Sequence, residues 1–130
     1  PIAAAVGLGA ALAWMMTLPW PEIHSHERRL LDRLQRGLAE FSGLRLLGPD
    51  AAAERQPIVT FDLAGLHPHD VCQVLDRYGV ALRGGNLCAQ PLLRHFGVDT
   101  ANRASIAPYT TSDDIDALLA GLANAIHVLA

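Results

Sequence analysis

Lysine is absent from this chain. All ten basic residues are arginine, at positions 28, 29, 33, 36, 45, 55, 77, 83, 94 and 103. Chemistry that needs a side-chain amine, a cofactor Schiff base included, therefore cannot be completed by these residues alone. Cysteine is scarce as well. Cys72 and Cys88 are too few for a disulfide framework and do not stand at zinc-ligand spacing, so a reducing, cytoplasmic compartment is expected. Charge is sparse and balanced, at 18% of residues with a formal net of −3. That excludes the clustered positive face that nucleic-acid binding requires. The first 21 residues carry no charge at all. They include only seven Ile, Val, Leu or Met and close on Pro19 and Pro21, a poor match to a spanning helix. With no basic n-region they do not read as a signal peptide. A helix buried between other elements is expected there, with no membrane partner. The missing initiator Met and the abrupt apolar start suggest a piece of a longer polypeptide.

What is present is enough for one folded domain. The chain has 130 residues, 51% of them hydrophobic, which supports a real core and excludes disorder. Periodicity places helices at about 2–16 and from 22 or 25 to 41, the second carrying Leu30, Leu31, Leu34, Leu38 and Phe41 on one face. Its arginine-rich opposite side reads as a solvated face with i,i+4 pairs such as Asp32 to Arg36. A short strand at 44–47 leads through a turn at 48–50 and a linker at 51–56 to the best strand, 57–63. His67-Pro68 opens a helix to Tyr78, with Val71, Val74, Leu75 and Tyr78 facing inward. A strand at 80–83, a Gly-rich loop, a short helix at 91–96, a strand at 103–107 and a last helix capped by Ser112 complete the order. That order predicts an α/β (α+β) domain: a small, largely antiparallel sheet covered by helices on one face.

Cys88 and Arg103 are the candidates for chemistry. Cys88 follows Gly84-Gly85 in an accessible loop and precedes a short helix, surroundings that favour a reactive thiolate, although a free cysteine is equally often inert packing. Cys72, inside a helix, reads as packing. Arg103 sits in an apolar stretch where it needs a partner, either a local acid or a bound carboxylate suited to its planar fork. Arg83 leads into the Cys88 loop and can face the same cleft. The pairs His24/His26 and His67/His69 lack third and fourth ligands at a recognisable spacing, so no metal site is expected.

The stretch from His67 onward, H-P-H-D-V-x-x-x-L-D-R-Y-G-V-A-L-R-G-G-N-L-C-A-Q-P-L-L, continues through Arg103-Ala104-Ser105 and Tyr109-Thr110-Thr111. It resembles the cysteine desulfurases of the class V aminotransferase family, second subgroup, which includes selenocysteine lyases. The R-x-G-x-x-C-A-x-P core at 83–91 is the specific part, and Gly84, Asn86 and Thr110 depart from the usual family residues. The resemblance implies the C-terminal small domain of a fold-type I pyridoxal phosphate enzyme, with residues 21–130 forming that domain. Residues 1–20 would be a connecting helix that packs on a larger domain outside this chain. That larger part would hold the pyridoxal phosphate and its Schiff-base lysine, leaving no cofactor-binding residue here and an isolated chain without activity. By the same resemblance Cys88 takes sulfur from L-cysteine (or selenium from selenocysteine) as a persulfide, releasing L-alanine. Arg103 would bind the substrate carboxylate with Arg83 beside it. A sulfur-acceptor protein and a homodimer are the implied partners, with iron–sulfur cluster assembly as one destination. Another class V enzyme of this cofactor, or a stand-alone persulfide carrier, are the alternatives.

Overall fold

The computed structural model describes residues 1–49 and 55–129; most of the linker expected at 51–56 lies outside the described residues. Five helices and four strands follow in the order α1 (Ile2–Met15), α2 (Trp20–Ala39), β1 (Leu44–Leu47), β2 (Ile58–Leu63), α3 (Pro68–Asp76), β3 (Arg83–Gly85), α4 (Gln90–His95), β4 (Ala101–Ser105) and α5 (Ser112–Leu129). The strands form one sheet in the order β1-β2-β4-β3, and every pairing is antiparallel. The α+β architecture is the one expected from the sequence.

Alternation along β2 divides the two faces of the sheet. Val59, Phe61 and Leu63 are buried, and they meet Leu30, Leu34 and Leu38 of α2, Val71 and Leu75 of α3, and Leu118 and Leu122 of α5. The stripe expected on α2 is thus the inner face of that helix. Two helical glycines let α5 approach both neighbours. A Cβ on Gly37 would run into the Leu119 side chain, and one on Gly121 would meet Tyr78 and Leu75 at 3.2–3.4 Å.

The second face is not bare, contrary to the one-sided cover expected. The six-residue α4 lies over it, and Leu93 forms a small separate cluster with Leu47 and Ala101, flanked by Leu87, Phe96 and Val98. Other expectations need correction too. Residues 80–82 are outside the sheet, and the strand is Arg83–Gly85, because bare glycine backbone can press against α3 where larger residues cannot. Tyr78 lies beyond the end of α3 and is 42% exposed. Thr111, not Ser112, caps α5. The Asp114 amide donates to Thr111 Oγ1 while the Thr111 amide donates to Asp114 Oδ2, the reciprocal pattern of a capping box. These bonds to its ionised form hold the Asp114 carboxyl below the usual range. The Asp32–Arg36 pair expected on α2 is not formed among the described residues; Arg29 Nη1 donates to Ser25 Oγ along the helix at 2.9 Å, and Arg33 grips Asp116 of α5 through both carboxylate oxygens at 2.7 and 2.8 Å.

Helix α1 buries nothing within this chain, and Ile2, Val6, Leu8 and Trp14 are all more than 60% exposed. Its fourteen residues rise about 21 Å, short of the roughly 30 Å hydrocarbon layer. No single helix among the described residues is long and apolar enough to cross a membrane.

Stability should follow burial rather than surface charge. In urea unfolding, Phe61→Ala is expected to cost about 3–5 kcal/mol. Asp116→Asn, which breaks a half-exposed pair, should cost about 1 kcal/mol or less.

Candidate active site

Strand register assembles one row of side chains on the α4 face. Leu47 pairs with Thr60, Thr60 with Arg103, and Arg103 with Arg83. The two arginines therefore stand directly opposite one another on neighbouring strands. Like charges so placed repel unless something anionic lies between them. Among the described residues, the acid–base pairs are Arg33 with Asp116 and Arg45 with Asp62, so neither Arg83 nor Arg103 has a carboxylate partner. Of the two readings open for Arg103, the local ion pair is not formed among these residues. Its Nε is buried without a hydrogen-bond partner, a state that costs about 1–3 kcal/mol until an acceptor arrives.

The loop after β3 carries Cys88 to this row. Arg83 Nη2 donates to Cys88 Sγ at 3.2 Å, and the Cys88 amide donates to the Asn86 side-chain oxygen at 3.2 Å. Leu87 and Cys88 both have φ of 55°, a left-handed conformation that side chains other than glycine adopt at a cost. Cys88 is an exposed residue. The structure thus brings together all three residues singled out in the sequence: the nucleophile candidate, the arginine touching it, and the second arginine in register with the first. Beside them lies a cavity of about 260 Å³ lined by Leu47, Ile58, Leu87, Leu92, Phe96 and Arg103. It is an apolar cleft whose charged group is the Arg103 guanidinium.

Cys72 is different in every respect. Its thiol donates to Leu82 O and accepts from Asn102 Nδ2, and burial pushes its pKa up, with the Asn102 bond opposing in part. Asn102, 1% exposed, also donates to Pro68 O at 3.0 Å, which ties α3 to β4. Gly84 completes this packing, since a Cβ there would lie 2.9 Å from both Cys72 Sγ and Pro68 O. Asn102 and Gly84 are thus supporting residues that sequence reasoning missed. A polar residue between Ala101 and Arg103 in a strand was the available signal for the first. Among the described residues, no group of three or more His, Cys, Asp or Glu is placed to hold a metal.

The model for "Aminotransferase class-V" matches residues 1–118. This chain belongs to the class-V aminotransferase family. Within that family it is 43% identical over 122 residues to a probable cysteine desulfurase of Streptomyces coelicolor, covering 94% of this chain and 29% of that protein. It is 44% identical over 117 residues to a cysteine desulfurase of Pectobacterium carotovorum, covering 90% and 28%. Among solved structures it resembles the cysteine desulfurase CsdA (S-sulfonic acid) from Escherichia coli, with a TM-score of 0.86 and 37% identity over 96% of this chain and 30% of that one. The apo cysteine desulfurase of Thermococcus onnurineus also superposes at 0.86, with 29% identity. The chain spans under a third of the length of these class-V relatives.

Two outcomes follow for this site. At neutral pH a neutral alkylating reagent should modify exposed Cys88 first. Cys72, its pKa raised, should react only above the ordinary thiol range or after unfolding, as peptide mass spectrometry would record. Gly84→Ala should lower stability by about 1–3 kcal/mol through the overpacked contact with α3, measurable as a drop in Tm.

Proposed function

We propose that this chain is the cysteine-bearing, C-terminal part of a pyridoxal phosphate-dependent cysteine desulfurase. The observation that carries the reading is the Arg83–Cys88 contact of 3.2 Å in register with Arg103, which has no carboxylate partner among the described residues. An exposed sulfur beside a cation, next to a second guanidinium with an open donor, suits a substrate that brings both a carboxylate and a sulfur. Arg103 binds the carboxylate through its fork. Cys88 Sγ then attacks the substrate sulfur. Overall, L-cysteine and the Cys88 thiol become L-alanine and a Cys88 persulfide. An S–S bond forms, the substrate C–S bond breaks with its electron pair left on carbon, and the proton lost by Cys88 is balanced by one gained at that carbon. An acceptor thiol afterwards takes the outer sulfur by exchange, which requires the exposure Cys88 has.

Pyridoxal phosphate does not fit the donor set of this chain. No lysine exists to hold its aldehyde, and both arginines of the site stand with Cys88. The electron sink that the cofactor supplies when bound must come from residues outside this sequence, and the chain alone is inactive. The same reading gives α1 its role. Its uncovered apolar surface packs on that cofactor-bearing portion, since patches of this kind mark interfaces.

The test uses the polypeptide that contains this sequence in its source cells. It should carry the yellow chromophore of the cofactor and release alanine from cysteine. Cys88→Ala should abolish turnover by about 10³-fold or more. Arg103→Gln should act chiefly on KM, raising it about tenfold or more, the worth of a charged hydrogen bond. A colourless protein without alanine release, or full activity in Cys88→Ala, would refute the assignment.

A further inference from the structure

Arg83 has two partners available on one face. It donates to Cys88 Sγ at 3.2 Å, and its Cα lies opposite that of Arg103, whose Nε is buried without an acceptor among the described residues. Side chains directly opposite in an antiparallel pair start about 4.5–5.5 Å apart at their Cβ atoms, so two guanidiniums on this row can converge on one small anion. A carboxylate offers two oxygens and about four lone-pair sites, enough to accept from both forks. It also offers a full negative charge, against which a single N–H···S contact competes poorly. The segment that would be released is already costly to hold, with Leu87 and Cys88 both at φ 55°. Its internal ties are few: the Cys88 amide to Asn86 Oδ1 and the Ala89 amide to Asn86 O.

We propose that Arg83 is a latch shared between Cys88 and the substrate carboxylate. With no carboxylate present, Arg83 holds the sulfur and keeps residues 86–89 against the sheet. A compact monocarboxylate bound across Arg83 and Arg103 takes the guanidinium over and frees the loop. The nucleophile thus becomes mobile only when a carboxylate is in place. Arg83 acts here as a positioning residue through the loop. The proposal rests on the carboxylate role assigned to Arg103 above, but its test needs neither cofactor nor turnover.

The experiment is amide hydrogen exchange of Cys88 and Ala89, followed by NMR on the 130-residue chain. Sodium acetate is titrated against sodium chloride at equal ionic strength and pH. Acetate should raise exchange at both amides saturably, by about threefold or more, while amides of β2 and α5 stay unchanged. In Arg83→Gln, exchange at the two amides should be high from the start and indifferent to acetate. In Arg103→Gln, it should start low, as in the parent, and respond only weakly. Slower or unchanged exchange with acetate overturns the latch, as does an undiminished response in Arg83→Gln. A desulfurase assay that fails while the acetate response holds would count against the proposed reaction and leave the latch standing. An acetate response that fails while Cys88→Ala abolishes turnover would do the reverse.

Discussion

Register between β2, β4 and β3 decides which way every charged side chain of the site points. Because strand side chains alternate, a slip of one residue would send Arg103 into the helical face and bring Ala104 out to the solvent side. Two contacts on the helical face resist that slip. Asn102 reaches across to Pro68 O and Cys72, and Gly84 lies so close to the start of α3 that no Cβ fits. Both sit one position from the arginines they align, Asn102 beside Arg103 and Gly84 beside Arg83. The core therefore positions the site through the strands rather than by touching it.

The two faces of the sheet have different jobs because they are packed differently. On one, α2, α3 and α5 enclose a continuous apolar core around Phe61, and this supplies the driving force for folding. On the other, the six-residue α4 and the small cluster around Leu93 cover only part of the surface. A loop there can carry left-handed residues and an exposed sulfur because little packing depends on it. In folded domains generally, functional loops are drawn from the less densely packed regions.

Most of the architecture was legible because the periodicities were clean. The α2 stripe at Leu30, Leu31, Leu34 and Leu38 and the alternation of β2 led directly to the core. β3 was placed too early, at 80–83, because Arg83-Gly84-Gly85 has no strand propensity. Its glycines are there for the contact with α3, which only the tertiary structure reveals. The cap of α5 could have been read from spacing, since Thr111 has an acid three residues on and Ser112 has Ile115. The bond from Arg33 to Asp116 could not, being 83 residues long in sequence. Cys88, Arg83 and Arg103 were found as single residues by their unusual settings. That they share a row depends on pairing partners far apart in the chain.

In a chain with no lysine, the positive charge of that row rests on two guanidiniums. Two guanidiniums in register without a carboxylate among the described residues are a poor bargain for folding alone, since they repel across the strands and leave Arg103 Nε unsatisfied. Repulsion of this kind persists where a ligand relieves it, and the ligand must then be anionic, small and able to accept from a planar fork. In the proposed function, the contact of Cys88 Sγ with Arg83 would couple the anion site to the nucleophile. A substrate with only a carboxylate could occupy the arginines but would present nothing for Cys88 to attack. One with only a thiol would meet the sulfur without the clamp that orients it. Under the function proposed above, the row would discriminate for molecules carrying both groups on one short skeleton.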